Sequence, residues 1–296
     1  MRRAQRLLTR ESSLNEYAIM PKSEVFANIC IPPETPFFLR LDGWKFQKLS
    51  ESISAEKPFD RNFAKCLVCS AETIFKAGFD PALVYVASDE LNILFLCESP
   101  FNRRVEKVDS VIPSLVSVAF ALCITKLFRK EPVVAFDSRI IIVPSEDRIV
   151  EYLAWRQSDL WRNHNNAYAY WLLRKKGYKP SEASKKLKGL KTEELHEIAF
   201  KNGVNLAETP AWQRRGILIY KEPYAKQIQS NVAERWKLKT EWNAPLFTSD
   251  DGVKLIKQII EWRRRKRKKV VGATENPANF RVKPKTVHFE RAKREA

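Results

Sequence analysis

The sequence predicts an α+β fold: a ferredoxin-like antiparallel sheet with helices on one face, followed by a helical, aromatic-rich second half. Three observations predict it. Between residues 37 and 145, short apolar, β-branched and aromatic runs alternate with longer helical patterns in the order strand, helix, strand, helix, strand. From 146 to 262 the patterns are mostly helical, with one returning strand. Two strand-like runs, Pro36 to Phe46 and Leu83 to Phe95, end in or are interrupted by acidic residues, which reads as strands delivering carboxylates to one end of the sheet.

In chain order, residues 1 to 36 are punctuated by Pro21, Pro32, Pro33 and Pro36 and read as a short helix and an extended lead-in. The run PFFLRLDGWKF then places Asp42 at a strand end, where Gly43 lets the backbone turn and a ligand approach closely. Asp60 is the expected N-cap of a helix that ends near Gly78. In LVYVASDELNILF, Ser88, Asp89 and Glu90 break an apolar run. Two acidic residues in a core-facing strand cost roughly several kcal/mol unless paired or bound to a cation, and a divalent metal resolves the conflict. Asp42 and Asp89 are therefore expected at adjacent ends of neighbouring strands.

A helical pattern follows through Phe128, broken or kinked at Pro113, with Ser110, Ser114, Ser117 and Ala121 expected against the sheet. At its start Arg103, Arg104 and Lys107 oppose the helix dipole, which fits either a bound anion such as triphosphate or a solvated basic end. Val133 to Val143 is the next strand, carrying Phe136-Asp137-Ser138-Arg139. Residues 147 to 176 form one long helix or two, in which Arg156, Arg162, Asn163 and His164 are interleaved with Trp and Tyr. Part of that aromatic stripe is core, yet the mixture also suits base stacking and phosphate contacts. A lone histidine such as His164 is more often structural than catalytic. A helix pair (181 to 202) leads to Arg214 and Arg215, which precede a strand over Ile217 to Tyr220. A helix near 250 to 265 runs into RRRKRKK, and residues 263 to 296, opening with Arg263, Arg264 and Arg265, read as a flexible nucleic-acid arm.

Composition narrows the partners. The net charge is +18, and residues 263 to 296 hold thirteen Lys or Arg against three Glu. Such a balance favours a polyanion, nucleic acid before membrane. Five cysteines at 30, 66, 69, 97 and 123 argue against a secreted disulfide framework and for a reducing, cytoplasmic setting. Cys66 and Cys69 have CxxC spacing, but they fall in a helix among apolar neighbours with no second pair, which argues against zinc or redox use. No apolar run reaches about 18 residues and no signal peptide is legible, so no membrane association is expected.

Paired carboxylates beside Ser88, a Gly turn and cations are the parts for two Mg²⁺ ions holding a nucleoside triphosphate. No Walker A sequence is present. Spacing alone leaves polymerase, nucleotide cyclase and nuclease open.

The segments LRLDGWKF, EKPFD, YVASDELNILF, NRRVEK, AFDSR and YLAWRQSD, in this order over about residues 37 to 220, resemble the tRNA-histidine guanylyltransferase family. The resemblance implies a polymerase-like palm working in the 3′-to-5′ direction. A tRNA 5′-monophosphate is activated with ATP or GTP, and the 3′-hydroxyl of GTP or another nucleotide then attacks that end. It implies Asp42, Asp89 and Glu90 as catalytic residues, and Asp42, Asp89 and the Gly43 carbonyl as metal ligands. The nucleotide would lie along Asp42, Gly43, Trp44, Lys45, Phe46 and Gln47 and at Ser88 and Asp89, with Arg103, Arg104 and Lys107 handling triphosphate. Asp137 and Arg139 of the AFDxR strand would support the site. Expected tRNA contacts are Arg156, Arg162, Asn163, His164, Arg214, Arg215, Arg263, Arg264 and Arg265, and a homotetramer is implied.

One departure matters. Eukaryotic members follow WRQxD with His-Ile-Asn-Asn, whereas a gapless reading here gives Trp161-Arg162-Asn163-His164, with Asn165-Asn166 two residues on. This favours template-dependent repair of truncated tRNA 5′ ends over strict anticodon-dependent guanosine addition. A palm-type nucleotide cyclase and a non-catalytic RNA-binding protein with a degenerate palm are the competing classes.

Overall fold

A computed structural model describes residues 24–96, 99–228 and 231–271. The helix expected in the first residues and the arm beyond 271 lie outside the described residues. Six strands, β1 (Phe37–Gly43), β2 (Leu83–Ala87), β3 (Glu90–Phe95), β4 (Phe136–Ile142), β5 (Ile217–Ile228) and β6 (Asn231–Glu241), form one sheet in the order β4-β1-β3-β2-β5-β6. Every neighbouring pair is antiparallel. The α+β antiparallel class therefore stands.

Both faces are covered, which is why FFLRL and LVYVA read as nearly unbroken apolar runs. Phe37, Leu39 and Leu41 turn to one face, against α2 (Arg61–Lys76) and α3 (Val105–Phe128). Phe38 turns to the other, against α4 (Glu146–Lys175) and α8 (Asp250–Val271). Helices α2 and α3 share one face, as expected, and the second half is largely helical. It caps the opposite face and adds β5 and β6 to the same sheet, two strands rather than one. The missed strand is the alternating VAERWKLKTE, whose polar face held the apolar positions Trp236 and Leu238 apart in the pattern.

Local determinants explain most boundaries. The Asp60 carboxylate accepts from the backbone N–H groups of Asn62 and Phe63 at 2.7 and 3.0 Å and so starts α2. Ser145 caps α4, a single helix of 30 residues. Pro113 sits inside one helix of 24 residues. The small residues of α3 were expected against the sheet, but Ser110 and Ser114 are exposed; Val108, Ile112, Val116, Phe120 and Ile124 make the sheet contact instead. By length and composition α3 is long and apolar enough to cross a membrane, although one of its faces is packed on the sheet. Between α4 and β5, helices α5 (Pro180–Leu187) and α6 (Thr192–Phe200) pack on α4 through a small cluster around Ala169, Ala183 and Leu195, and α7 (Ala211–Arg215) leads into β5.

Candidate active site

The run Leu83 to Phe95 is not one strand with acids in its middle. It is a tight hairpin, β2 and β3, with Ser88 and Asp89 at the tip and Ser88 in the left-handed backbone region at φ 58°. That solves the burial conflict by placing Asp89 at the sheet end. The Gly43 N–H donates to the Asp89 carbonyl at 3.3 Å, so the end of β1 and the hairpin tip are joined. Asp42 stands opposite Glu90 on one side and opposite Asp137 of β4 on the other, giving three carboxylates in one row across the sheet.

The three are not equivalent. Glu90 is buried and receives a bidentate contact from Arg156, Nε to Oε1 and Nη2 to Oε2, both 2.8 Å. Asn92 Nδ2 donates to Oε1 at 2.8 Å and Arg40 Nε stands 3.8 Å from Oε2. Glu90, expected to be catalytic, has both carboxylate oxygens in this network. Asp137 is exposed and pairs with Arg139 at 3.5 Å. Among the described residues Asp42 and Asp89 have no cationic partner at salt-bridge distance. Burial and then the charge of Asp42 push the Asp89 carboxyl up to about 6, against a hydrogen bond from Ser88 that favours the ion.

A cavity of about 280 Å³ opens beside the hairpin tip. Its wall includes Ser88 and Asp89, Phe46 and Gln47 of α1 (Phe46–Ser52), Lys57 and Phe59 of the EKPFD loop, Asn163 of α4 and Trp212 of α7. Burial draws the Lys57 ammonium below its usual range, while Glu51 and Asp60 oppose the shift. Lys57 escaped the sequence reading as a site residue, although EKPFD was noted; a lysine beside a proline before a helix cap carries no spacing signal. Phe46 lines the cavity but is core, packed on Phe63, Phe120 and Phe136. Trp44 and Lys45 are exposed, with the Lys45 ammonium 3.9 Å from the Trp44 ring centre.

Several expected residues stand elsewhere. Arg103 Nε and Nη2 donate to the carbonyls of Ile31 and Thr35 at 3.0 and 2.7 Å, before the start of β1. That is roughly 20 Å along the strand from Asp42. Arg104 contacts Glu106 at 3.5 Å, and Lys107 belongs to α3, on the face opposite the Asp42 side chain. His164 is fully buried, stacked on Trp161, its ring nitrogens facing Asn165 Oδ1 and Thr209 Oγ1 at 3.0 and 2.9 Å. Burial lowers it to about 4, so it is neutral and structural and not a surface RNA contact. Arg156 is consumed by Glu90, and Arg214 Nε donates to the Thr209 carbonyl at 2.8 Å. Arg215 precedes β5, its carbonyl accepting from Tyr85 and Gln157. Arg162 is exposed beside Asp159, with which it pairs. Arg263, Arg264 and Arg265 are not the start of a free arm: they lie in α8 and contact Asp80, Glu146 and Glu234.

Two carboxylates and a neighbouring backbone carbonyl are an all-oxygen donor set, the kind that hard divalent cations select. The uncompensated Asp42–Asp89 pair fits such an ion. Among the described residues no three His, Cys, Asp or Glu side chains converge as a closed metal site.

The tRNAHis guanylyltransferase family model matches residues 17–144, and the Thg1 C terminal domain model matches 147–277. A probable tRNA(His) guanylyltransferase of Drosophila melanogaster is 32% identical over 197 residues, which cover 65% of this chain and 69% of that one. The tRNA(His) guanylyltransferase of Saccharomyces cerevisiae is 30% identical over 198 residues, 64% of this chain and 84% of that one. The crystal structure of the Saccharomyces cerevisiae enzyme aligns with TM-score 0.62 and 28% identity over 68% of this chain and 91% of that chain. A bacterial tRNA(HIS) guanylyltransferase (Thg1)-like protein in complex with ATP aligns with TM-score 0.67 over 82% of this chain and 98% of that chain; at 24% identity it speaks for the fold alone. The chain belongs to the tRNAHis guanylyltransferase family, a family of nucleotidyltransferases.

Proposed function

We propose that the protein adds nucleotides to the 5′ end of tRNA in the 3′-to-5′ direction, as template-dependent end repair, guanosine addition to tRNA-His, or both. The observation that carries this reading is the unpaired Asp42–Asp89 carboxylate pair at the edge of a cavity walled by Lys57, Phe59 and Trp212. ATP and GTP, the nucleotides with which bacterial Thg1-like proteins of this fold have been solved, are the substrates the proposal takes.

In the proposed reaction the 5′-monophosphate of tRNA attacks the α-phosphorus of ATP or GTP and pyrophosphate leaves. The 3′-hydroxyl of the incoming nucleoside triphosphate then attacks the activated 5′ phosphorus, and the nucleoside monophosphate leaves. Two Mg²⁺ ions, held by Asp42, Asp89 and the Gly43 carbonyl, would supply the charge that lowers the hydroxyl pKa and stabilises the leaving group. The chain's own residues set the stage. Ser88 orients the Asp89 carboxylate, the Glu90–Arg156 pair fixes the start of β3, and Lys57 offers a cation to phosphate. Self-association belongs to the same reading, and sedimentation measures it.

The test compares 5′-monophosphorylated tRNAs, full-length and 5′-truncated, histidine and non-histidine, for incorporation of labelled nucleotide in Mg²⁺. Incorporation restricted to truncated ends selects repair, and incorporation restricted to tRNA-His selects guanosine addition. No incorporation on any of the four, with RNA binding retained, would overturn the proposal.

A further inference from the structure

Gln213 of α7 is 8% exposed and lines the cavity beside Asp89. Its amide is held at one end. The Tyr168 hydroxyl donates to Oε1 at 2.6 Å, a length that suits O–H···O and is short for N–H···O, so the amide oxygen is the atom that meets the phenol. Tyr168 is itself fixed, its ring centre 4.8 Å from His164 and 5.8 Å from Phe59, and burial pushes its pKa up, which keeps the phenol protonated. The other amide atom, Nε2, has no hydrogen-bond partner among the described residues and is not sealed from solvent, so its N–H bonds open on the cavity. Neighbouring polar groups of the wall are already engaged. Asp60 accepts from the backbone N–H groups of Glu56, Asn62 and Phe63, and both His164 ring nitrogens face partners. Phe59 and Trp212, edge to face with centres 6.3 Å apart, add aromatic surface. An aromatic wall with a directed donor suits a base that offers acceptors.

On the reading of the cavity as a nucleoside triphosphate site, on which this rests, we propose that Gln213 is a specificity-determining residue: it selects guanine over adenine by donating from Nε2 to the O6 and N7 acceptors. A glutamine with both amide ends free reads adenine, accepting from the N6 amino group and donating to N7. Here Tyr168 takes the accepting end. The donor that remains matches the adjacent acceptors of guanine, whereas adenine sets its own N6 donor where O6 would stand. Tyr168 is the positioning residue, because it fixes which end of the amide the base meets.

Equilibrium binding of GTP, ATP and 7-deaza-GTP to the full-length protein, in Mg²⁺ and without tRNA, tests this separately from nucleotide addition. Wild type should hold GTP about tenfold tighter than ATP, and tighter than 7-deaza-GTP, which lacks the N7 acceptor. Gln213→Glu keeps the length of the side chain and replaces the donor with an acceptor, so the GTP preference should be lost and ATP should bind at least as well as GTP. Tyr168→Phe frees the amide to turn, and the ratio of GTP to ATP affinity should fall towards one while ATP still binds. Equal wild-type affinity for GTP and ATP would overturn the inference and leave the reading of the cavity standing; no binding of either nucleotide would overturn both. A GTP preference unchanged in Gln213→Glu, or wild-type indifference to the loss of N7, would equally overturn it. The wild-type comparison of the nucleotides holds whether or not a variant folds.

Discussion

Asp42 and Glu90 face each other across the β1–β3 ladder, yet only Glu90 has an arginine on its oxygens. Asp42 is left with Asp89 as its charged neighbour. The asymmetry separates a carboxylate paired with arginine from two acids that have no cationic partner at salt-bridge distance among the described residues. Asp42→Asn or Asp89→Asn should lower nucleotide addition at least roughly 100-fold. The variants should also melt higher than wild type without divalent cation, because like-charge repulsion is gone, and lose the rise in melting temperature that Mg²⁺ gives wild type. Thermal scans with EDTA and with Mg²⁺ read both effects, and a variant that keeps the Mg²⁺ shift would exclude its residue as a ligand.

Glu90→Gln should act on stability before chemistry. It leaves Arg40 without its buried counter-charge and Arg156 with Asp159 alone, a loss of roughly 3 kcal/mol. Denaturant melts should show that loss, while activity well below the melting temperature falls by far less than in Asp42→Asn. Equal losses of activity in both variants would return Glu90 to the catalytic group.

The row of carboxylates shows what the sequence makes legible and where it stops. Asp89 and Glu90 stood out because burying an unpaired acid is costly, and Asp42 because it ends an apolar run just before a glycine; neither argument needs register. The role of Glu90 needed its partner, and Arg156 lies 66 residues away in the chain. His164 was read as an RNA contact because aromatic and polar residues alternate on α4; which face of that helix is buried depends on Phe59 and Thr209, far apart in sequence. The basic run from Arg263 suggested an arm because its acidic partners, Asp80, Glu146 and Glu234, are scattered over the chain. Periodicity finds elements and burial cost finds odd residues; the pairing of distant charges is visible in neither.

Gly43 was expected to serve a sharp turn, but its backbone is not left-handed. The glycine is needed because a Cβ there would fall 2.4 Å from ring carbons of Phe46. Gly43→Ala should force that ring out of its packing with Phe63, Phe120 and Phe136, at roughly 1–3 kcal/mol. An unchanged unfolding midpoint would mean the ring has room to move.

His164 makes stability depend on pH with a definite sign. Its folded pKa, about 4, lies below the ordinary 6.5, so the unfolded chain binds the proton more tightly. Its contribution is complete above pH 6.5 and is lost as pH falls from there towards 4, by about 3 kcal/mol in all. His164→Gln should flatten that part of the stability profile. Urea melts of both proteins between pH 7 and 4 measure the difference, and parallel profiles would assign the acid loss to other groups.

The basic C-terminal run divides at the end of α8. Arg263 and Lys266 converge with Lys221 on Asp80, at 3.7, 2.6 and 2.5 Å. Burial alone would raise the Asp80 carboxyl, but these three cations hold it down at about 2. Truncation after Trp262 should therefore cost roughly 1–3 kcal/mol of stability in addition to any effect on RNA. Truncation after Val271 spares the cluster and removes six Lys or Arg. On the proposed function that shorter deletion should leave the melting temperature unchanged and weaken tRNA binding. The slope of log affinity against log salt should flatten by up to about 0.9 for each phosphate no longer neutralised. An unchanged slope would place the phosphate-binding cations on the folded body, among exposed side chains such as Arg162.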